Sequence, residues 1–253
     1  MVKKINLGKI SKNGKAVFLA YDQGLEHGPT EFNDQNVDPK FIIDIAKKGK
    51  FSAMIFQKGI VEKYLNEIKK SKVPLIIKLN GKTSLVKGEP ISRQLCSVKE
   101  AIKLGAVAVG YTIYAGSENE NIMLSEFEKI EEEAHAKGLP VITWIYPRGK
   151  GLEGKDPGEI MAYAARIGLE IGADIVKLQY NGKVEDLTWA VKAAGKTGIV
   201  VSGGAKAEEE KFLKEVEDVA KAGAMGLAVG RNVWQHSKPE EISEKIRKII
   251  FGK

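Results

Sequence analysis

Eight short β-favouring runs, each followed by a helical pattern, predict an α/β protein: a single (β/α)8, or TIM, barrel over residues 1–253. Three observations carry that expectation. Strict alternation of strand and helix patterns implies parallel strands joined by helical crossovers. The repeat is about 30 residues, and eight such units fill a chain of the usual barrel length. No linker or composition break divides the chain, and 43% hydrophobic content supplies one large core. A doubly wound open sheet is the competing architecture. The lack of a Gly-x-Gly-x-x-Gly after the first strand counts against its dinucleotide-binding form.

In chain order, residues 16–22 form the first strand. Asp38 and Pro39 suit the N-cap and first position of a helix reaching residue 48. Residues 53–57 are the second strand, with a helix over 61–70 behind it. The third strand, 74–80, runs into a long loop over 81–92. Ser97 and Glu100 then fit a capping box on the next helix. Residues 106–114 are the fourth strand, and the helix over 121–137 is stopped by Gly138. The fifth strand is 140–146. Its loop carries Arg148, Lys150 and Lys155, and Asp156-Pro157 opens a helix to residue 171. Residues 173–180 form the sixth strand, 198–204 the seventh with its exit loop, and 224–231 the eighth. Helices over 184–194, 208–222 and 239–250 complete the units.

Composition narrows the function. The formal net charge is +7, but lysines interleave with glutamates along helical stretches such as 126–137 and 208–221, as on a solvated surface. A small anionic substrate suits this modest excess better than a nucleic acid, and no nucleic-acid partner is expected. No apolar run approaches the roughly 18 residues of a membrane span, so no membrane partner is expected. The stretch Met1 to Lys9 lacks the apolar core of a signal peptide, which points to the cytoplasm. One cysteine, Cys96, and three histidines at 27, 135 and 236 offer no disulfide and no metal-ligand spacing.

The chemistry centres on Ala173-Asp174-Ile175-Val176-Lys177-Leu178-Gln179-Tyr180. In a strand, Lys177 shares one face with Ile175 and Gln179. A lysine on a buried strand face tends toward a lowered pKa, and a neutral amine suits attack on a carbonyl to form a Schiff base. The plainer alternative is a strand-end lysine paired with a carboxylate. Lys78, also near the end of an apolar strand, is its rival.

Barrel chemistry gathers at the C-terminal strand ends. There stand Asp22, the same-face pair Trp144 and Tyr146, and the loops Ser202-Gly203-Gly204 and Gly230-Arg231-Asn232. Glycine-rich loops after strands seven and eight are the usual phosphate site of this fold, with backbone N–H groups at helix N-termini, and Arg231 adds a charged donor. Those glycines also fit tight turns alone. Asp22 reads as a base or a turn cap, Tyr146 as a proton carrier or a packed phenol, and His27 as a loop histidine.

The motifs together resemble the archaeal-type class I fructose-1,6-bisphosphate aldolases. They are Leu19-Ala20-Tyr21-Asp22, Glu26-His27-Gly28-Pro29, Phe56-Gln57-Lys58-Gly59 and Lys78-Leu79-Asn80-Gly81-Lys82. They continue as Val109 to Tyr114, Trp144-Ile145-Tyr146-Pro147-Arg148, Ala173 to Lys177, Ser202-Gly203-Gly204 and Ala228 to Trp234. Their order covers nearly the whole chain. The resemblance implies reversible cleavage of fructose 1,6-bisphosphate in glycolysis or gluconeogenesis, with Lys177 as the Schiff-base lysine and Tyr146 as proton donor and acceptor. Asp22 and Trp144 would line the same pocket, with Gln23 and Gln179 as substrate contacts. Ser202, Gly203, Gly204, Gly230, Arg231 and Asn232 would hold the near phosphate, and His27, Glu31 and Arg148 the far end. It also implies no cofactor and a homo-oligomer, in this family often a decamer. Gln23 stands where a histidine is common, and Ala205 where proline often follows Ser-Gly-Gly. Another lysine-dependent aldolase or transaldolase-like enzyme, and a phosphate-binding barrel without turnover, are the alternatives.

Overall fold

The computed structural model describes residues 5–252; the start of the stretch Met1 to Lys9, residues 1–4, lies outside the described residues. Eight parallel strands close into a barrel. They are β1 (Ala16–Ala20), β2 (Ala53–Gln57), β3 (Leu75–Lys78), β4 (Ala108–Ile113), β5 (Val141–Ile145), β6 (Ile175–Leu178), β7 (Gly198–Ser202) and β8 (Gly226–Val229). Each pairs with its sequence neighbours, and β1 closes the ring against β8 in the register Ala16 to Gly226 through Leu19 to Val229.

Strand parity sorts the side chains. Phe18, Ile55, Ile76, Ala108, Ile142, Ile175, Val200 and Ala228 fill the barrel interior. Alternate residues, among them Val17, Met54, Ile77, Val109, Val176 and Val201, pack against the helical ring. The same parity carries upward: Lys78 lies two residues above Ile76, Trp144 two above Ile142, and Lys177 two above Ile175. All three therefore point into the top of the barrel.

Helix starts follow their caps. Asp38 accepts from Lys40 N–H at 2.9 Å before the helix Pro39–Lys48, and Asp156 accepts from Gly158 and Glu159 N–H before Pro157–Glu170. Ser97 accepts from Glu100 N–H at 3.1 Å. Three expectations change. The helix over 61–70 is two helices, Lys58–Lys63 and Leu65–Ser71, meeting at a non-helical Tyr64. The first begins directly after β2, so the break at Tyr64 supplies the turn that a loop would otherwise make. The 81–92 loop is tied by a short antiparallel ladder, Asn80–Gly81 against Arg93–Gln94. After β7, helix Glu209–Lys221 starts five residues beyond Gly204, so no helix N-terminus adjoins those glycines.

Candidate active site

A cavity opens at the C-terminal end of the barrel, and its floor and walls come from different strands. Trp144 and Tyr146 rise from β5, Lys177 and Gln179 from β6, and Lys78 from β3. Asp22, Gln23, Glu26 and His27 follow β1. Ser202, Gly203 and Gly204 follow β7, and Gly230 and Arg231 follow β8. Thirteen of the fifteen residues expected at the site line this wall.

Two lysines point into the same space, and their surroundings differ. Lys78 Nζ lies 3.2 Å from Asp22 Oδ2, and both side chains are almost fully buried. Lys177 is equally buried but has no side-chain hydrogen bond or ion pair among the described residues. Its amine sits over the Trp144 ring at 5.2 Å and near the Tyr146 ring at 6.0 Å. Burial pushes the Lys177 pKa down; Asp22 partly opposes this, and the Arg231 guanidinium adds to it. Burial alone would raise the Asp22 carboxyl, but Lys78 and then Lys177 outweigh it and hold the carboxyl below its usual range. Desolvation, helped by the Asp22 charge, pushes the Tyr146 phenol well up, so it rests protonated. The floor of the site therefore holds one buried ion pair and one unpaired lysine amine whose pKa burial lowers.

Trp144 owes its place to a glycine. A Cβ on Gly110 of β4 would lie 2.0 Å from the Trp144 ring, so only the bare backbone leaves room for the indole. The Trp144 Nε1 and Gln23 Nε2 atoms are buried with no acceptor among the described residues.

The mouth is basic on one side. Gly203 N–H donates to Ala228 O at 3.1 Å, while the N–H of Gly204 (φ +66°) has no backbone acceptor among the described residues. Arg231 flanks this loop and pairs with Glu31, which also meets His27 Nδ1 at 3.0 Å. On the other side, Arg148 lies over the rings of Tyr114 and Tyr146 and pairs with Glu26 at 2.9 Å; Tyr114 donates to the same Glu26 oxygen at 3.1 Å.

Two of the expected substrate contacts stand behind the wall. Glu31 does not line the cavity because Arg231 and His27 hold its carboxylate. Asn232 is 4% exposed and acts as a brace: its amide donates to Gly203 O at 2.6 Å and Ala205 O at 2.9 Å, and its carbonyl accepts from Ala207 N–H. Lys150 also points away, paired with Glu118. Conversely, sequence reasoning passed over Glu26, the anchor of Arg148. Its signal was only an acidic residue in a short loop, and the loop folds as a one-turn helix, Gly24–His27. Among the described residues no three His, Cys, Asp or Glu side chains are grouped to hold a metal ion.

A closed parallel barrel with a buried, unpaired lysine beneath a basic, glycine-lined mouth defines a lysine-bearing (β/α)8 barrel enzyme. A model of the DeoC/LacD family aldolases matches residues 16–236. The chain is 48% identical over 245 residues to the class 1 fructose-bisphosphate aldolase of Thermoproteus tenax, covering 96% of this chain and 92% of that protein. An archaeal fructose 1,6-bisphosphate aldolase crystal structure superposes with a TM-score of 0.92 at 47% identity, covering 98% of each chain. A second archaeal aldolase structure, with its catalytic lysine bound covalently to the carbinolamine intermediate of the substrate, matches with a TM-score of 0.92 at 46% identity over 97% of this chain and 98% of that one. The chain belongs to the DeoC/LacD aldolase family, on its archaeal class I fructose-bisphosphate aldolase branch.

Proposed function

We propose that this protein is a Schiff-base fructose-1,6-bisphosphate aldolase in which Lys177 is the nucleophile. The observation that carries the assignment is the division of labour between the two buried lysines. Asp22 pairs with Lys78 at 3.2 Å, and Lys177 remains an unpaired amine with a lowered pKa.

The neutral amine attacks C2 of the open-chain ketose bisphosphate to give a carbinolamine, and loss of water leaves an iminium. A base takes the C4 hydroxyl proton as the C3–C4 bond breaks, and its electrons flow into the iminium to give an enamine. Glyceraldehyde 3-phosphate leaves. The protonated Tyr146 phenol suits donation of a proton to C3 of the enamine, and hydrolysis then frees dihydroxyacetone phosphate and the amine. Lys78 and the Arg231 side of the mouth supply positive charge for a phosphate near Lys177, while Arg148, fixed by Glu26, supplies it at the far side. Glu31 is the resting counter-ion that such a phosphate displaces from Arg231.

The same reading places the enzyme in the cytoplasm, in glycolysis or gluconeogenesis, as a homo-oligomer of the decameric kind. It is supported by the family membership; no helix of the described residues is long and apolar enough to cross a membrane. The test is borohydride reduction in the presence of dihydroxyacetone phosphate, followed by peptide mass mapping. A reduced adduct on Lys177 is expected. An adduct on Lys78 would keep the reaction and move the nucleophile, and ligand binding without any adduct would overturn the assignment. Turnover of fructose 1,6-bisphosphate against other sugar phosphates separates this enzyme from a transaldolase-like relative.

A further inference from the structure

At the opposite end of the barrel from the active site lies a second polar cavity, and it is lined by cations. Lys9, Lys12 and Lys15 come from the N-terminal segment, Lys50 from the turn entering β2, and Arg247 from the closing helix Pro239–Phe251. Elsewhere the chain pairs its charges freely, but none of these five side chains takes part in an ion pair among the described residues. Lys15 Nζ donates to Ala224 O at 2.8 Å. Arg247 lies over the Phe251 ring at 5.7 Å, and its Nε–H is sealed from solvent without an acceptor among the described residues. A buried donor with no acceptor is costly, and native structures usually explain one by a group that fills the gap.

The local fold holds the cations together. Lys12 and Lys15 bond each other's backbone across an Asn13-Gly14 turn with both central residues at positive φ (52° and 72°), the geometry of a tight hairpin. Just before the hairpin, Ile10 is buried in the cluster that fills the barrel interior, so this segment is seated on the barrel floor. The nearby carboxylate, Glu244, is exposed and pairs through one oxygen with Lys248 at 2.8 Å; Lys248 and then Arg247 and Lys50 hold its pKa down. One exposed carboxylate offsets only part of the mutual repulsion among five like charges, and a bound anion would relieve the rest.

We propose that this cavity is a binding site for a small polyphosphate, distinct from the active-site mouth. The Arg247 fork matches phosphoryl oxygens, and the lysines add point charges around a ligand bearing about three negative charges, as pyrophosphate does near neutral pH. Such a ligand joins the N-terminal hairpin to the C-terminal helix and stabilises the fold by mass action.

Titration calorimetry of the whole protein with inorganic pyrophosphate at low ionic strength tests this, after borohydride has fixed dihydroxyacetone phosphate in the active site. One site per chain is expected to remain, weakening with added salt. In the Lys50→Ala/Arg247→Gln double variant its affinity falls about a hundredfold, roughly tenfold for each charged donor removed, while aldol turnover is unchanged. Lys12→Glu on the exposed hairpin weakens it independently, in case the double variant folds poorly. No binding to the blocked wild type, or binding unchanged in both variants, overturns the site. Aldolase turnover is read separately, so its absence would count against the proposed activity and not against this cavity.

Discussion

The Asp22 carboxylate lies 3.2 Å from Lys78 Nζ, and the Lys177 amine has no such partner. This choice of partner separates two lysines that share depth, strand parity and orientation. It also makes Asp22 the pivot of the site's charge, because it pairs with Lys78 and leaves the second lysine unpaired, with its pKa lowered by burial. Asp22 is therefore a positioning and electrostatic residue before it is anything else.

Replacing Asp22 by Asn leaves the Lys78 ammonium buried and unpaired, a change expected to cost about 3 kcal/mol in denaturant unfolding at neutral pH. The Asp22 carboxyl titrates below its unfolded value, so it contributes stability above the ordinary carboxylate range and loses it as pH falls through the folded value. Asp22→Asn should narrow its gap to the wild type as the pH is lowered. A gap independent of pH would show that the pair contributes nothing.

Lys177 carries the opposite sign. Its folded pKa is below the unfolded value, so it costs stability in full below the folded pKa, and the cost vanishes as pH rises past the unfolded lysine value near 10. Lys177→Met should therefore abolish turnover while stabilising the fold by about 1 kcal/mol at pH 7, a gain that shrinks in alkali. Melting curves of the two proteins from pH 7 to 10 check it. Equal stability throughout would mean that Lys177 remains charged when folded.

Glu31 and Arg231 form a pair at the mouth that substrate must reopen. Glu31→Gln frees the guanidinium, and inorganic phosphate should bind about fivefold more tightly, the reach of a partly exposed ion pair. Competition of phosphate against turnover gives the number directly. Weaker binding in the variant would make Glu31 a support for Arg231 and not its competitor.

Gly110→Ala tests the indole's seat. The added methyl meets the Trp144 ring, and because β4 is paired on both sides the backbone has little room to yield. A loss of about 2 kcal/mol in stability is expected from such overpacking, together with reduced turnover. A neutral outcome would mean that Trp144 has another rotamer available.

The barrel was legible because its signals are periodic and repeated: eight alternating units, with Asp38, Ser97 and Asp156 marking helix starts by local chemistry. Strand parity likewise placed Lys177, Gln179, Trp144 and Tyr146 on the inner face. What could not be read was pairing across the barrel. Lys78 and Asp22 are 56 positions apart, Glu31 and Arg231 are 200 apart, and nothing local distinguishes Glu31 as a partner of arginine from Glu31 as a contact of substrate. Asn232 was misplaced for the same reason. Next to a glycine it looks like a ligand-facing amide, and only the fold shows that three backbone groups of the neighbouring loop use it up.

That amide ties the turn after β7 to the turn after β8 from the inside, beside the Gly203 N–H bond to Ala228 O and the Lys206 bond to Gln235 O. Of the side chains in these ties Asn232 is the buried one, and it alone makes three bonds. Drift at Ala205 or Ala207 is felt at Arg231 through Asn232, and a single hydrolysed amide here, Asn to Asp, would set a carboxylate against two carbonyl oxygens and pry the turns apart. Chemical ageing of this one residue would then loosen the mouth while the barrel beneath it stays folded.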